Sequence, residues 1–228
     1  MTLLRFALDG GAALELLPRQ LVIAGWTGRD RAAIDHHIDE LAAIGVPRPS
    51  GVPLYYRVAA SLLTQGERIE VLGAGSSGEV EPVLVRAQGR WWLTVGSDHT
   101  DRGAERGGVA LSKQLCAKPL ATRAWPWDDV VERADAIGLR SEIFEHGRWV
   151  RYQDGTLAAI RPLAQLIAGL PADAPVADGL VLFCGTLAAL PDAGGRGVRP
   201  AARMRLLLID GAHTLAHEYE TTALPQVA

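Results

Sequence analysis

Residues 79–98 read "EVEPVLVRAQGRWWLTVGSD". Apolar residues fill both halves, and Gln88-Gly89 stands between them as a reversal. Two strands folded back through that turn bring Asp98 beside Glu79 and Glu81. On a strand successive side chains point to opposite faces, so Glu79 and Glu81 point the same way. Three carboxylates in one place repel one another unless something positive lies between them. The spacing leaves two readings open: a hairpin with solvated acids on a wet outer face, or an oxygen-rich site of the kind that suits Mg²⁺, Mn²⁺ or Ca²⁺. Pro82 has no N–H to give a ladder, so its strand is expected at a sheet edge or at a bulge.

Outward from this hairpin the text stays rich in strands. Residues 53–63 "PLYYRVAASLL", 68–73 "RIEVLG", 139–155 "LRSEIFEHGRWVRYQDG", 179–190 "GLVLFCGTLAAL" and 202–224 "ARMRLLLIDGAHTLAHEYETTAL" are apolar runs broken by glycine and turn residues. Two helices are expected between them, near "WDDVVERADAI" (127–137) and "LAAIRPLAQLIAGL" (157–170). Upstream, "TLLRFALDGGAALELLP" (2–18) reads as a hairpin around Asp-Gly-Gly, and "QLVIAGW" (20–26) as a short buried strand. The clearest helix lies in "GRDRAAIDHHIDELAAIGVPRP" (28–49). Asp30 caps it, Ile34, Ile38, Leu41 and Ala42 form its apolar stripe, and Gly45 and Pro47 close it. The pattern is strand-dominated α+β and not alternating βαβ. A lobe boundary is expected near residue 50, giving an N-terminal lobe over 1–50 with a lid-type helix and a catalytic domain over 51–228.

The bulk numbers exclude several classes of function. The chain has 228 residues, 48% of them hydrophobic, enough for one large domain or a domain with a small lobe. A net charge of -3 with both signs interspersed argues against nucleic acid or a polybasic membrane contact. No stretch reaches the length of a membrane span, and no secretory signal is visible. Cys116 and Cys184 stand far apart, which reads as two buried, reduced thiols and fits a cytoplasmic protein. No glycine-rich phosphate fingerprint follows a strand. Trp91, Trp92 and Trp149 lie in strands with no basic patch beside them and read as packing, not as a platform for bases.

Other groups carry chemistry. His37 and Glu40, three apart on the early helix, share a face, and His36 also neighbours Glu40. A carboxylate beside an imidazole orients it and raises its basicity, which suits a base acting on water; a polar helix face with an ordinary intrahelical pair reads equally from spacing. Lys113 and Lys118 in "SKQLCAK" are candidates to hold a substrate carboxylate. Gln153 to Thr156, and Gly185 with Thr186, end apolar strands with a glycine and a hydroxyl, as anion-binding loops do and as plain turns do.

The order of these groups along the chain is informative. His-x-x-Glu, Glu-x-Glu, Asp-x-x-x-Arg, Ser-Lys, Gln-x-Gly-Thr and Gly-Thr resembles the fumarylacetoacetate hydrolase superfamily in the same order. More narrowly, the chain looks like a compact bacterial branch, the domain of unknown function 2848 group. The resemblance implies a mixed β-roll or distorted barrel with a small N-terminal lobe, working as a homodimer. It implies Glu79, Glu81 and Asp98 as ligands of Mg²⁺ (or Mn²⁺/Ca²⁺), and His37 with Glu40 as the dyad that activates water. Lys113 is preferred over Lys118, with Arg102, Gln153 and Thr186 as contacts to a small keto-acid substrate. The implied reaction is hydrolysis of a carbon–carbon bond in a 1,3-diketo acid. Decarboxylation or dehydration of a 2-keto acid at the same site, or a binding protein without activity, are the alternatives. The departures from the family are Pro82, a short stretch between Glu81 and Asp98, a second histidine at position 36, and a Gly-Thr loop without its proline.

Overall fold

The computed structural model describes residues 2–43 and 45–227; the side chain of Leu41, expected on the helical stripe, lies outside the described residues. Its elements run β1 Leu4–Ala7, β2 Ala13–Leu16, β3 Gln20–Gly25, α1 Arg31–Ala43, β4 Leu54–Val58, β5 Leu63–Thr64, β6 Arg68–Leu72, β7 Ser76–Ser77, β8 Val80–Ala87, β9 Arg90–Ser97 and β10 Thr100–Asp101. Then come α2 Val109–Gln114, β11 Lys118–Pro119, β12 Trp125–Pro126, β13 Gly138–Glu145, β14 Arg148–Thr156, α3 Leu163–Ala168, β15 Leu180–Phe183, β16 Arg203–Asp210 and β17 His213–Leu224.

Two sheets carry the chain. One has six strands in the order β12-β9-β8-β15-β3-β4, the other five in the order β14-β13-β16-β17-β6. The fold is strand-dominated α+β, with no closed barrel among the described residues. The six-stranded sheet is covered on both sides. One face packs on the five-stranded sheet through Leu84, Leu93, Val95, Leu139, Ile143, Leu206 and Leu208. The other face meets the β1–β2 hairpin through Phe6, Leu14, Ile23, Val83, Val85 and Phe183. That explains why β8 reads as a near-continuous apolar run, whereas β13 and β16 alternate buried and half-buried residues with one wet face. β3 and β4 stand on either side of residue 50 and are hydrogen-bonded neighbours in the six-stranded sheet.

The central hairpin forms as its sequence reads. Gln88 and Gly89 both take positive φ, 52° and 69°, the conformation a two-residue turn between twisted strands needs. Its register pairs Ala87 with Arg90 and Val80 with Ser97. On α1, Asp30 Oδ1 accepts the amides of Ala32 at 2.9 Å and Ala33 at 3.2 Å, while Ile34 and Ile38 are buried.

Three expectations are corrected. β8 is neither an edge nor bulged at Pro82: it lies between β9 and β15. Pro82 is tolerated because its carbonyl faces β15, accepting from Cys184 N at 3.1 Å, so its missing N–H faces the same side, just where β15 ends. Residues 127–137 form two 3₁₀ turns, Trp127–Asp129 and Val131–Ala136, because Val130, the first of two successive β-branched residues, leaves helical backbone (φ -122°). Residues 157–170 split into a 3₁₀ turn and α3 at Pro162, which cannot continue a helix from the preceding turn.

Candidate metal centre

Hairpin register places the acids. Glu79 immediately precedes β8 and its carbonyl accepts from Asp98 N at 3.1 Å, one step beyond the Val80–Ser97 pair. Glu81 follows on β8. Each of the three residues offers one carboxylate oxygen, and these oxygens lie within 4.8 Å of one another. Asp98 is fully buried, Glu81 is 2% exposed, and Glu79 is half-buried.

Three cationic side chains surround them. Arg102 donates from Nε to Ser77 Oγ (2.7 Å) and from Nη1 to Glu105 (2.8 Å). Its Nη2 lies 3.0 Å from Glu79 Oε1, off the line of a good hydrogen bond. Lys113 Nζ donates to Asp98 Oδ2, and Lys118 Nζ stands 3.3 Å from Asp98 Oδ1. Burial alone pushes Asp98 up, but the two lysines outweigh it and hold its carboxyl below the usual range. Burial lowers the Lys113 ammonium, yet Asp98, Glu79 and Glu81 outweigh that and raise it.

Glu81 is different. Among the described residues it has no ion pair, and the Gly185 amide at 2.8 Å is its hydrogen-bond donor. Burial, then Asp98, push its carboxyl well above the ordinary range. A buried carboxylate with one amide donor and no ion pair calls either for a proton or for a cation. Three hard oxygen donors from three residues, one of them uncompensated, therefore fit a divalent cation such as Mg²⁺.

The strand carrying the acids is bracketed from behind. Gln153 Oε1 accepts from Val80 N (2.9 Å) and Ser141 Oγ (2.8 Å), and its Nε2 donates to Thr186 Oγ1 and Leu187 O (both 2.7 Å). Thr186 Oγ1 in turn donates to Val80 O at 2.7 Å. All four positions of the Gln153 amide are thus used inside the protein. Gln153 and Thr186 grip the backbone between Glu79 and Glu81; they are not free groups waiting for substrate. Arg102 is occupied in part: Nε and Nη1 donate to Ser77 and Glu105, while Nη2 is paired with Glu79 by charge but makes no hydrogen bond among the described residues. Gly185 must be glycine: its φ is 95°, and a Cβ there would stand 1.6 Å from Thr27 Oγ1.

The rim is looser. His37 and Glu40 lie on α1 with side chains 60% and 58% exposed, their Nδ1 and Oε2 3.4 Å apart. Glu40 also reaches His36 Nε2 at 3.3 Å, so the two histidines share it. A relay of contacts joins this helix to the acids: the His37 ring lies 6.0 Å from the Trp26 ring, and Trp26 Nε1 donates to Tyr56 OH at 3.1 Å. The Tyr56 ring lies 5.6 Å from Lys113 Nζ. The structure thus brings Glu79, Glu81, Asp98, Arg102, Lys113, Gln153 and Thr186 together and leaves His37 and Glu40 outside them. Two clefts of about 260 and 350 Å³ open beside α3, and neither is lined by a carboxylate of the cluster.

Sequence reasoning passes over the place of Lys118 and a buried network next to it. His99 Nδ1 pairs with Tyr219 OH (2.9 Å) and its Nε2 with Ser76 Oγ (2.9 Å), while Tyr219 OH also meets Ser97 Oγ (2.8 Å). Burial, with Lys118 and Arg102 nearby, takes His99 down to about 3, so it is a neutral strut. One signal for the lysine is present in the sequence. The chain has 23 Lys and Arg, of which Lys113 and Lys118 are the two lysines, and both touch Asp98.

Against known proteins, no curated protein matches the chain. Among solved structures it is similar to a candidate fumarylpyruvate hydrolase from Burkholderia cenocepacia, at 18% identity and TM-score 0.66 over 99% of this chain and 97% of that one. It is also similar to fumarylacetoacetate hydrolase from Exiguobacterium antarcticum (14%, TM-score 0.63, 95% and 80% covered). A third is 2-keto-3-deoxy-D-arabinonate dehydratase complexed with magnesium and 2,5-dioxopentanoate (15%, TM-score 0.61, 91% and 74% covered). At these identities the likeness is one of fold, and the fold is that of the fumarylacetoacetate hydrolase family. A family model described as "Protein of unknown function (DUF2848)" matches residues 24–219, and the chain belongs to that family.

Proposed function

We propose that this member of the DUF2848 family is a divalent-metal-dependent enzyme that hydrolyses a carbon–carbon bond in a 1,3-diketo acid of acylpyruvate or fumarylacetoacetate type. The observation that carries the reading is the cluster of Glu79, Glu81 and Asp98, in which Glu81 is buried with no ion pair among the described residues. In this reading those three residues hold Mg²⁺ (or Mn²⁺/Ca²⁺), which when bound supplies Lewis-acid stabilisation of developing negative charge. Lys113, which donates to Asp98, orients the substrate carboxylate. Arg102 holds Glu79 in place, and Gln153 with Thr186 holds the strand between the two glutamates. His37, oriented by Glu40, takes the proton from water once α1 closes over Trp26 and Tyr56. The working assembly is a homodimer in the cytoplasm, checked by sedimentation of the purified protein and by fractionation.

A second reading is favoured by one observation. His37 is separated from the acids by Trp26 and Tyr56, and a lyase that decarboxylates or dehydrates a 2-keto acid needs no water-activating dyad at the acids. The test is a panel of acylpyruvates, oxaloacetate and 2-keto-3-deoxy acids with Mg²⁺, with and without EDTA, with products identified by mass. EDTA-sensitive release of pyruvate from an acylpyruvate supports hydrolysis. CO₂ from oxaloacetate, or water lost from a deoxy acid, moves the reaction to the lyase. Silence with metal bound points to a binding protein, and silence with no metal bound removes the reading.

A further inference from the structure

Asp98 carries two ammonium groups, and the fold holds them in different ways. Lys118 is fully buried on β11, which pairs in parallel with β5. Its Nζ donates to the carbonyls of His99 (2.5 Å), Lys113 (2.5 Å) and Cys116 (3.1 Å). An ammonium has three donors, so all are spent on backbone, and the contact with Asp98 Oδ1 at 3.3 Å is a matter of charge. Turning this side chain would leave three buried carbonyls unpaired. Lys113 sits at the end of the short helix α2, and Asp98 is its hydrogen-bond acceptor among the described residues. The face of Tyr56, 5.6 Å away, offers its ammonium a second resting place. Elsewhere the chain meets its acids with arginine or histidine; these two positions alone carry lysine. A compact ammonium on a flexible stem fits both a cage of carbonyls and a side chain that must move.

We propose that the two lysines hold Asp98 in complementary ways. Lys118 is a positioning residue that holds the backbone beside Asp98 through the His99 carbonyl, and Lys113 is an exchangeable partner that shares Asp98 Oδ2 with a bound divalent cation. The inference rests on the metal reading above. It assigns Lys113 a role in admitting the cation as well as in meeting substrate, and it gives Lys118 a part that charge alone does not predict. Removing either lysine takes a positive charge from beside the site. If both were plain counter-charges, both variants would bind a cation more tightly.

Mn²⁺ binding to the purified protein, read by electron paramagnetic resonance, separates the two cases. Lys113→Met is expected to tighten binding about tenfold, since a competing like charge is gone. Lys118→Met is expected to weaken it about tenfold or more, since Asp98 loses its fixed orientation. Tightening by both variants, or no tightening by Lys113→Met, overturns the division. Wild-type protein that binds no Mn²⁺ overturns the metal reading itself and the exchange with it. Should Lys118→Met fail to fold, the native protein decides. It has two ε-amines, so reductive methylation with ¹³C-formaldehyde labels two side chains that NMR resolves. Lys113 labelling should rise when Mn²⁺ is added, with Lys118 protected in both conditions. Lys118 labelled as fast as Lys113, or Lys113 indifferent to Mn²⁺, refutes the proposal.

Discussion

Glu81 and Glu40 carry the same side chain, and the fold treats them in opposite ways. Glu81 is buried, gripped by the Gly185 amide, and set on a central strand whose backbone is bracketed by Gln153 and Thr186. Glu40 is exposed and shared between two histidines on a helix whose contact with the rest of the site runs through one tryptophan ring. Burial fixes geometry at an electrostatic cost, whereas exposure leaves a group cheap to hold and free to move. The floor of the site is thus preorganised, and the rim is the part that has to arrive.

The largest break in that contrast is Glu81→Gln. On the proposed reading, activity with Mg²⁺ falls by about 10³-fold or more, because the substitution removes a charged oxygen donor from the cluster. Stability moves the other way in EDTA. The folded Glu81 carboxyl titrates above its unfolded value, so the native state binds more protons than the unfolded state between the two. Wild-type stability from this group is therefore full below the unfolded value and is lost as pH rises through the folded one. Glutamine does not titrate, so thermal unfolding in EDTA should show the variant gaining on wild type as pH rises from acid towards neutral. A gap independent of pH would mean that Glu81 is solvated, and the contrast with Glu40 would collapse.

Second is Gln153→Leu, which tests the bracket and leaves the acids in place. It strands Val80 N–H, Ser141, Thr186 and the Leu187 carbonyl in a buried setting. We expect a loss of roughly 2–4 kcal/mol by chemical denaturation. Mn²⁺ affinity should weaken by about tenfold. Unchanged metal affinity in a destabilised protein would show that the bracket holds the fold and not the site.

This contrast also marks how far the sequence can be read. The hairpin 79–98 is legible because its two apolar runs meet at a glycine turn, and that register alone brings Asp98 to Glu79. The dominance of strands and the cap of α1 at Asp30 are legible for the same reason: their signals are local. The neighbours of β8 are not. Nothing within the run shows that β15, about a hundred residues later, ends opposite Pro82 and so admits it. Gln153 reads from sequence as a substrate contact, because its partners at Val80 and Thr186 lie 73 and 33 residues away. The helix expected over 127–137 fails on backbone detail at Val130, which propensity registers only weakly. Lys118 ranks behind Lys113 because the resemblance in "LSKQ" singles out Lys113, while the carbonyls that hold Lys118 are set by the fold.

Third is Glu40→Gln, which addresses the rim alone. Exposed pairs contribute little to stability, so the variant should stay within about 0.5 kcal/mol of wild type. If the protein is a hydrolase, kcat falls about 10²-fold while Mn²⁺ affinity is unchanged. If kcat is also unchanged, the dyad is an ordinary helix pair, and the lyase reading takes its place.

The smallest effect expected, and the one that most sharpens the contrast, is Trp26→Phe. Trp26 holds a positive φ of 60°, unusual for a bulky residue, and it closes β3 onto the rim. Phenylalanine would carry the same backbone strain, so the substitution isolates the ring. It removes the Nε1 donor to Tyr56 OH and shrinks the surface facing His37. The lost hydrogen bond should cost about 1 kcal/mol. If α1 reaches the acids by packing over this ring, kcat falls about fivefold with KM and Mn²⁺ affinity little changed, because closure and not binding has been made harder. A fall in metal affinity instead would place Trp26 with the floor, acting on Lys113 through Tyr56. No change in either would separate α1 from the chemistry, leaving the buried acids and their two lysines to account for whatever reaction the protein performs.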